Sequence, residues 1–202
     1  MTLDVLMVDV DGVIIRPPAD KRWFHTIEQD IGVSPALLTQ HYFNDLEGDV
    51  SIGFAEAHDR LDMALARFAP DVPAQRVIDY LFSFDGHLDQ ALMTDLAALR
   101  AKGIQLHLAT NQAHLRADYL WLTLDLRTRF DAMHHSAALG VRKPDVAFFA
   151  EATSRCGAPL ERIGFIDDLA ENVAAAQAAG WRAQLWTPAS TLREALAAMG
   201  AV

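Results

Sequence analysis

Cysteine is almost missing: Cys156 stands alone in 202 residues, so no intrachain disulfide can form. The eight histidines are scattered without zinc-ligand spacing. Basic residues are in deficit, 17 Lys and Arg against 27 Asp and Glu, and the net charge is -10. Nucleic acids and anionic membrane surfaces need clustered cations, so neither is an expected partner. No apolar run approaches the ~20 residues that span a bilayer. The opening residues set acidic side chains inside an apolar run rather than presenting the basic head of a signal peptide, so a cytoplasmic location is the expectation. Internal repeats and low-complexity segments are absent too. What remains is ordinary globular composition, 51% hydrophobic and 22% charged, enough for a sizeable core.

Among what is present, the stretch Leu3 to Val13 organises the rest. Leu3, Val5, Leu6, Met7 and Val8 suit a strand covered on both faces, as in a parallel sheet. The run ends in Asp9, Val10, Asp11 and Gly12, where glycine permits an immediate turn. Two residues apart on an extended chain, Asp9 and Asp11 are expected to share a side and point at one ligand. Alone, this pattern also fits an ordinary strand-to-turn junction.

From Arg16 to about Phe84 the periodicity is helical. Pro17-Pro18 separates it from the strand, Gly32 ends a first helix, and Ser34-Pro35 starts the next with a capping serine. Phe54, Leu61, Leu65 and Phe68 fall near one helix face, and Val77, Tyr80, Leu81 and Phe84 form another stripe before Asp85-Gly86. The domain division is therefore 1–15 with 86–202 as the core and 16–85 as an inserted helical cap. Arg16, Lys21, Arg22, Trp23, His41, Tyr42 and His58 lie in or beside that insert, and none carries a readable role.

Beyond Asp85-Gly86 helices and strands alternate, which predicts an α/β fold with a Rossmann-like parallel sheet and helices on both faces. Leu92, Leu96 and Leu99 share a helix face. Strands are expected over Ile104 to Ala109, Phe130 to His134, Ile163 to Ile166 and about Arg182 to Trp186. Pro144 is expected to open a helix containing Phe148 and Phe149; an Ala-rich helix follows Asp167-Asp168, with Gly180 as its stop. Thr191 with Glu194 reads as a capping box. His134 and His135, facing opposite ways on a strand, read as structural, and Trp181 and Trp186 as packing residues. The polar candidates Asp9, Asp11, Thr110-Asn111, Lys143 and Asp167-Asp168 lie at or beyond strand ends, where open α/β sheets bind ligands.

In that order the residues resemble the haloacid dehalogenase-like hydrolase superfamily across the whole chain. Asp9 to Gly12 is similar to its Asp-x-Asp-Gly motif, Ile104 to Asn111 to its apolar strand ending in Thr or Ser, Lys143 to its third-motif lysine, and Asp167-Asp168 to its final acidic pair. The insert resembles the helical cap of the subclass with small-molecule phosphatases, phosphoglucomutases and dehalogenases. The stretch Gly164 to Trp181 is similar to the branch with sugar-phosphate phosphatases and the amino-terminal domain of soluble epoxide hydrolases.

The resemblance implies that Asp9 attacks phosphorus to form an aspartyl-phosphate, while Asp11 protonates the leaving alcohol and later takes a proton from water, with its pKa raised by its surroundings. It implies phosphate binding by Thr110, the Asn111 backbone N–H and Lys143, and a metal shell of the Asp9 and Asp168 carboxylates with the Asp11 carbonyl. Asp167 and Asn172 would support. Asn172 stands where many relatives carry an acid. Mg²⁺ is the expected cofactor, because it favours oxygen ligands and commonly joins one or two carboxylates to a phosphate. The expected activity is a Mg²⁺-dependent phosphatase acting on a small phosphorylated metabolite, in a monomer or homodimer. A phosphomutase is the alternative, recognised by isomerisation without net phosphate release. A dehalogenase is disfavoured by Asp11, which an enzyme expelling halide does not need, and a non-catalytic phosphate- or metal-binding protein stands last. Specificity is expected to reside in the cap, which should move between open and closed states.

Overall fold

The computed structural model describes residues 2–16, 22–44, 47–84 and 87–201. Among them, five parallel strands form one sheet: β1 (Val5–Val8), β2 (Gln105–Thr110), β3 (Ala132–His135), β4 (Ile163–Asp167) and β5 (Arg182–Leu185). Their order is β3-β2-β1-β4-β5, so β1 lies at the centre with neighbours on both sides. Its unbroken apolar run follows from that position. Leu6 and Val8 pack with Leu96, Leu108 and Leu196 on one face, and Val5 and Met7 pack with Phe149, Phe165 and Ala176 on the other.

Helices cover both faces. The Leu6 side takes α6 (Gln90–Arg100) and α11 (Leu192–Ala198), and the Met7 side takes α9 (Val146–Cys156) and α10 (Ala170–Ala178). Leu92, Leu96 and Leu99 of α6 are all buried, as their spacing predicts. The Asp89 carboxylate caps α6 by accepting from Leu92 N at 3.0 Å. Thr191 caps α11, accepting from Glu194 N at 3.3 Å, while its hydroxyl donates to the Glu194 carboxylate at 2.7 Å. The capping-box pair is thus joined, with glutamate serving the threonine hydroxyl. Pro144 lies just outside α9. Asp145 is the cap there, accepting from Ala147 N at 2.9 Å.

Between β1 and α6 come α1 (Trp23–Ile31), α2 (Pro35–Leu38), α3 (Glu47–Ser51), α4 (Ala57–Leu65) and α5 (Ala74–Phe82). Ile27, Leu38, Leu61, Leu65 and Val77 build a core distinct from those of the sheet. Gly32 ends α1 at a φ of 75°, a left-handed conformation that glycine adopts freely, and Ser34 accepts from Leu37 N at 3.5 Å with Pro35 at the first helical position. Phe54 departs from its predicted helix face: it precedes α4 and is 79% exposed, so Leu61 and Leu65 pack without it. Pro17-Pro18, Lys21 and Asp85-Gly86 lie outside the described residues.

Shorter elements complete the β2–β3 side: α7 (His114–Asp118) and α8 (Ser136–Leu139). His134 Nε2 lies 3.0 Å from His107 Nδ1, and His135 Nε2 lies 3.4 Å from His114 Nδ1. Trp181 packs edge-on against Phe149 and Phe165 and donates Nε1–H to Thr153 Oγ1 at 2.8 Å, and Trp186 is buried in the opposite layer. Among the described residues no helix is long and apolar enough to cross a membrane.

Candidate active site

Strands β2 and β3 lie to one side of β1 and β4 and β5 to the other, so connections leave the sheet in opposite directions at its centre. That switch point opens a crevice at the carboxyl ends of β1 and β4. Val8 pairs with Leu108 and with Ile166, which brings Asp9 level with Ala109 and Asp167. Asp9 N donates to Ile166 O at 3.0 Å, and the chain then turns, with Ile14 N and Ile15 N both donating to Val10 O at 3.0 and 2.9 Å. Asp9 and Asp11 line the same cleft because of this turn rather than by alternation along a strand, which ends at Val8. Their environments differ: Asp9 is 7% exposed, whereas the Asp11 side chain is 55% exposed.

Lys143 binds the charged end together. Its Nζ donates to Asp9 Oδ1 at 2.9 Å, Asp167 Oδ2 at 2.6 Å and the Ala109 carbonyl at 2.8 Å, using all three ammonium protons in a buried position. Asn111 fixes the lysine backbone, accepting from Lys143 N at 2.9 Å through Oδ1 and donating to Lys143 O at 3.0 Å through Nδ2. Neither Thr110 nor Asn111 caps α7, whose cap is Ala113. The Thr110 hydroxyl oxygen accepts from Gln112 Nε2 at 3.2 Å, leaving its proton for another acceptor.

Asp167 is fully committed. Besides Lys143, it accepts from Leu169 N at 2.8 Å and from Asn172 Nδ2 at 3.0 and 3.1 Å. Asn172 therefore meets Asp167 as a donor, which an acidic residue there would not. Its Oδ1 is buried at the cleft without a hydrogen-bond partner among the described residues.

Asp168 completes the acidic group: carboxylate oxygens of Asp9, Asp167 and Asp168 all lie within 4.8 Å of one another. Gly12 makes room for it. With a φ of 76°, which favours glycine, a Cβ at this position would stand 2.1 Å from Asp168 Oδ2 and would have to displace that carboxylate. Three carboxylates against the one Lys143 ammonium leave two negative charges when all are ionised. The all-oxygen donor set and this charge fit a divalent cation such as Mg²⁺.

Sequence reasoning missed Arg116 and Gln112. Arg116 on α7 donates to both Asp11 oxygens, at 2.7 and 2.8 Å, and to Gln112 Oε1 at 2.8 Å, while Gln112 Nε2 donates to Asp11 Oδ2 at 2.7 Å. A basic residue four positions after Gln112, just past the second motif, was the available signal, but spacing does not reveal a partner on another strand end.

These contacts set the acidities. Burial, with the charge of Asp167, raises the Asp9 pKa to about 7 despite the opposing ammonium of Lys143. Burial also raises Asp168, aided by Asp167. Lys143 moves up: burial would lower it, but Asp9 and Asp167 together outweigh that. Asp11 corrects an expectation. Its partial removal from water pushes upward, yet Arg116 and Gln112 prevail and hold it below the usual carboxylate range.

The cleft has a volume of about 980 Å³ and runs from Asp9, Thr110, Lys143 and Asp168 to the helices between β1 and α6. Arg16, Arg22, Trp23 and Tyr42 reach its wall. His41 stacks instead on Phe68, and His58 pairs with Asp62 at 3.2 Å.

A parallel α/β sheet thus gathers an acidic cluster and a buried lysine at its switch point, an arrangement of the hydrolase class. The haloacid dehalogenase-like hydrolase model matches residues 3–180, and the chain belongs to that family. Among solved structures, a predicted HAD-like family hydrolase from Porphyromonas gingivalis is 21% identical with a TM-score of 0.80, over 98% of this chain and 97% of that one. A HAD family enzyme from Bacteroides thetaiotaomicron, solved in complex with magnesium and inorganic phosphate, is 17% identical with a TM-score of 0.78, over 95% of this chain and 98% of that one. The mouse (Mus musculus) acyl-CoA dehydrogenase family member 10 is 31% identical over 128 residues, 63% of this chain and 12% of that protein. Drimenol cyclase of Aspergillus calidoustus is 39% identical over 59 residues, 29% of this chain and 11% of that protein. The chain thus matches only about an eighth or less of the length of these curated relatives.

Proposed function

We propose that this hydrolase is a Mg²⁺-dependent phosphatase that cleaves a small phosphorylated metabolite through an aspartyl-phosphate on Asp9. The observation that carries the reading is the buried Lys143 bridge between Asp9 and Asp167 at 2.9 and 2.6 Å, with Asp168 seated over Gly12. The magnesium and phosphate bound by the Bacteroides relative support it.

Asp9 and Asp168, with the Asp11 carbonyl, would hold Mg²⁺; Asp167 and Asn172 position these ligands. The cation supplies charge neutralisation on the phosphate oxygens and favours the ionised form of Asp9 against its raised pKa. Lys143 aims the Asp9 carboxylate and offsets charge as the phosphoryl group transfers to it. The Thr110 hydroxyl and the Asn111 backbone N–H orient the phosphate. In the second half-reaction Asp11 takes a proton from the attacking water; Arg116 keeps it ionised but weakens it as a base, so this step too needs the contact loosened. In the first half-reaction it must carry a proton to the leaving alcohol, so Arg116 has to release it. The helical segment 16–85 serves as the cap over this chemistry.

The test is phosphate release from an aryl phosphate and a metabolite panel, with and without Mg²⁺, by the native protein and by Asp9→Asn. Release that needs both Mg²⁺ and Asp9 supports the reading. A folded native protein that isomerises sugar phosphates without releasing phosphate would replace it with the mutase.

A further inference from the structure

The two ends of the cleft are chemically opposite. One end carries Asp9, Asp168, Lys143 and Thr110. The other is built from Tyr42, Phe43, Leu61, Ile78, Leu81 and Phe82 of the helical segment. Tyr42 and Phe43 meet edge to face at 5.1 Å, and Phe43 lies 5.6 Å from Trp23. Among the described residues that this segment gives to the wall, there is no carboxylate, amide, lysine or histidine. The Ser51 hydroxyl donates to Gly48 O at 3.0 Å, and of the two arginines of the wall Arg16 is paired with Asp89 at 3.4 Å while Arg22 is exposed.

Away from Arg16 and Arg22, a polyol placed against this wall leaves hydroxyls facing rings and aliphatic carbons, and these lose water without gaining a partner. An apolar alcohol removes its own surface and that of the wall from water together. The volume of about 980 Å³ also exceeds what a three- or four-carbon phosphate fills.

We propose that the alcohol portion of the substrate is apolar, so that the enzyme hydrolyses phosphate monoesters of alkyl, prenyl or aryl alcohols rather than of sugars. The phosphate sits at the carboxylates, and the hydrocarbon extends between α1, α4 and α5. This inference rests on the phosphatase reading for its chemistry, but the apolar subsite is measurable without turnover.

The test measures binding of butyl, hexyl and octyl phosphate and of glucose 6-phosphate to Asp9→Asn in Mg²⁺ by calorimetry, beside kcat/KM of the native enzyme for the same compounds. Binding should tighten about fourfold per methylene, the transfer free energy of a buried CH₂, and glucose 6-phosphate should bind more weakly than octyl phosphate. In Phe82→Ser and Leu81→Asn, both checked for native-like thermal unfolding, the gain should fall below about twofold per methylene.

A flat chain-length series, no binding of octyl phosphate, or tighter binding of glucose 6-phosphate overturns the inference. If short aryl phosphates are hydrolysed while the series is flat, the phosphatase reading stands and the apolar subsite fails. Steep binding by Asp9→Asn with no hydrolysis by the native protein preserves the subsite and sinks the phosphatase reading.

Discussion

Arg116 grips Asp11 across 105 residues of sequence, with its two terminal nitrogens on the two carboxylate oxygens at 2.7 and 2.8 Å. Such a fork fixes the carboxylate's direction as well as its charge. It makes Arg116 the gatekeeper of the proposed proton-transfer group. In Arg116→Met the chief lowering influence is gone, while Gln112 and Lys143 remain, so the Asp11 pKa should rise above its native value. Carboxyl carbon NMR titration of the Mg²⁺-free protein checks this. An unchanged midpoint would mean that Arg116 does not control Asp11.

Lys143→Met should strand Asp9 and Asp167 as buried charges, at a cost of about 3–5 kcal/mol. The loss should depend on pH. Without the ammonium that opposes its burial, Asp9 keeps a folded-state pKa above its unfolded one, so the folded variant binds an extra proton and grows less stable as pH rises from about 4. Urea unfolding at pH 5 and pH 8 should find it weaker at pH 8; equal losses would show that the carboxylates are rescued by other means.

Two glycines with positive φ separate strain from sterics. Gly12→Ala must adopt a φ of 76° and displace Asp168, whereas Gly103→Ala at 91° meets no atom within 4 Å. Both should lose about 1–2 kcal/mol. Only Gly12→Ala should also weaken Mg²⁺ binding, by about tenfold or more as a carboxylate ligand moves, measured by calorimetry. Equal Mg²⁺ affinity in the two variants would remove Asp168 from the metal site.

The His107–His134 contact at 3.0 Å requires one ring to accept, so the pair cannot be doubly protonated. Burial, helped by the neighbouring cations, brings His134 down to about 4, and burial lowers His107 despite Asp131. The unfolded chain takes up protons first, so stability should be full above about pH 6.5 and fall on acidification towards pH 4, by up to about 3 kcal/mol from His134. His134→Leu should flatten that decline in melting temperature between pH 7 and pH 4.5. An equally steep decline in the variant would place the acid sensitivity elsewhere.

The centre of the sheet was legible in the sequence because the apolar runs of β1 and β4 answer to burial on both faces, a local signal. Strand ends shifted by a residue or two, since hydrogen bonding with neighbours decides where pairing stops. The carboxylates, Thr110 and Lys143 could be named because they stand at strand ends in a recognisable order. Arg116 could not, for its partner is chosen by the direction in which α7 leaves β2. The acidity of Asp11 followed it: the expected rise assumed nearby carboxylates or burial, and no cation beside them. Phe54 misled because hydrophobicity at helical spacing does not say where α4 begins.

Lys143 touches groups at the ends of β1, β2 and β4 through Asp9, Ala109 and Asp167. The strand ends come from distant parts of the chain, and the two carboxylates repel until the ammonium arrives. A chain whose β4 has docked without the Lys143 loop therefore has opposed charges at the centre of its sheet. Seating the Lys143 loop and closing the centre of the sheet therefore favour one another, so the order of the site and the order of the sheet rise together.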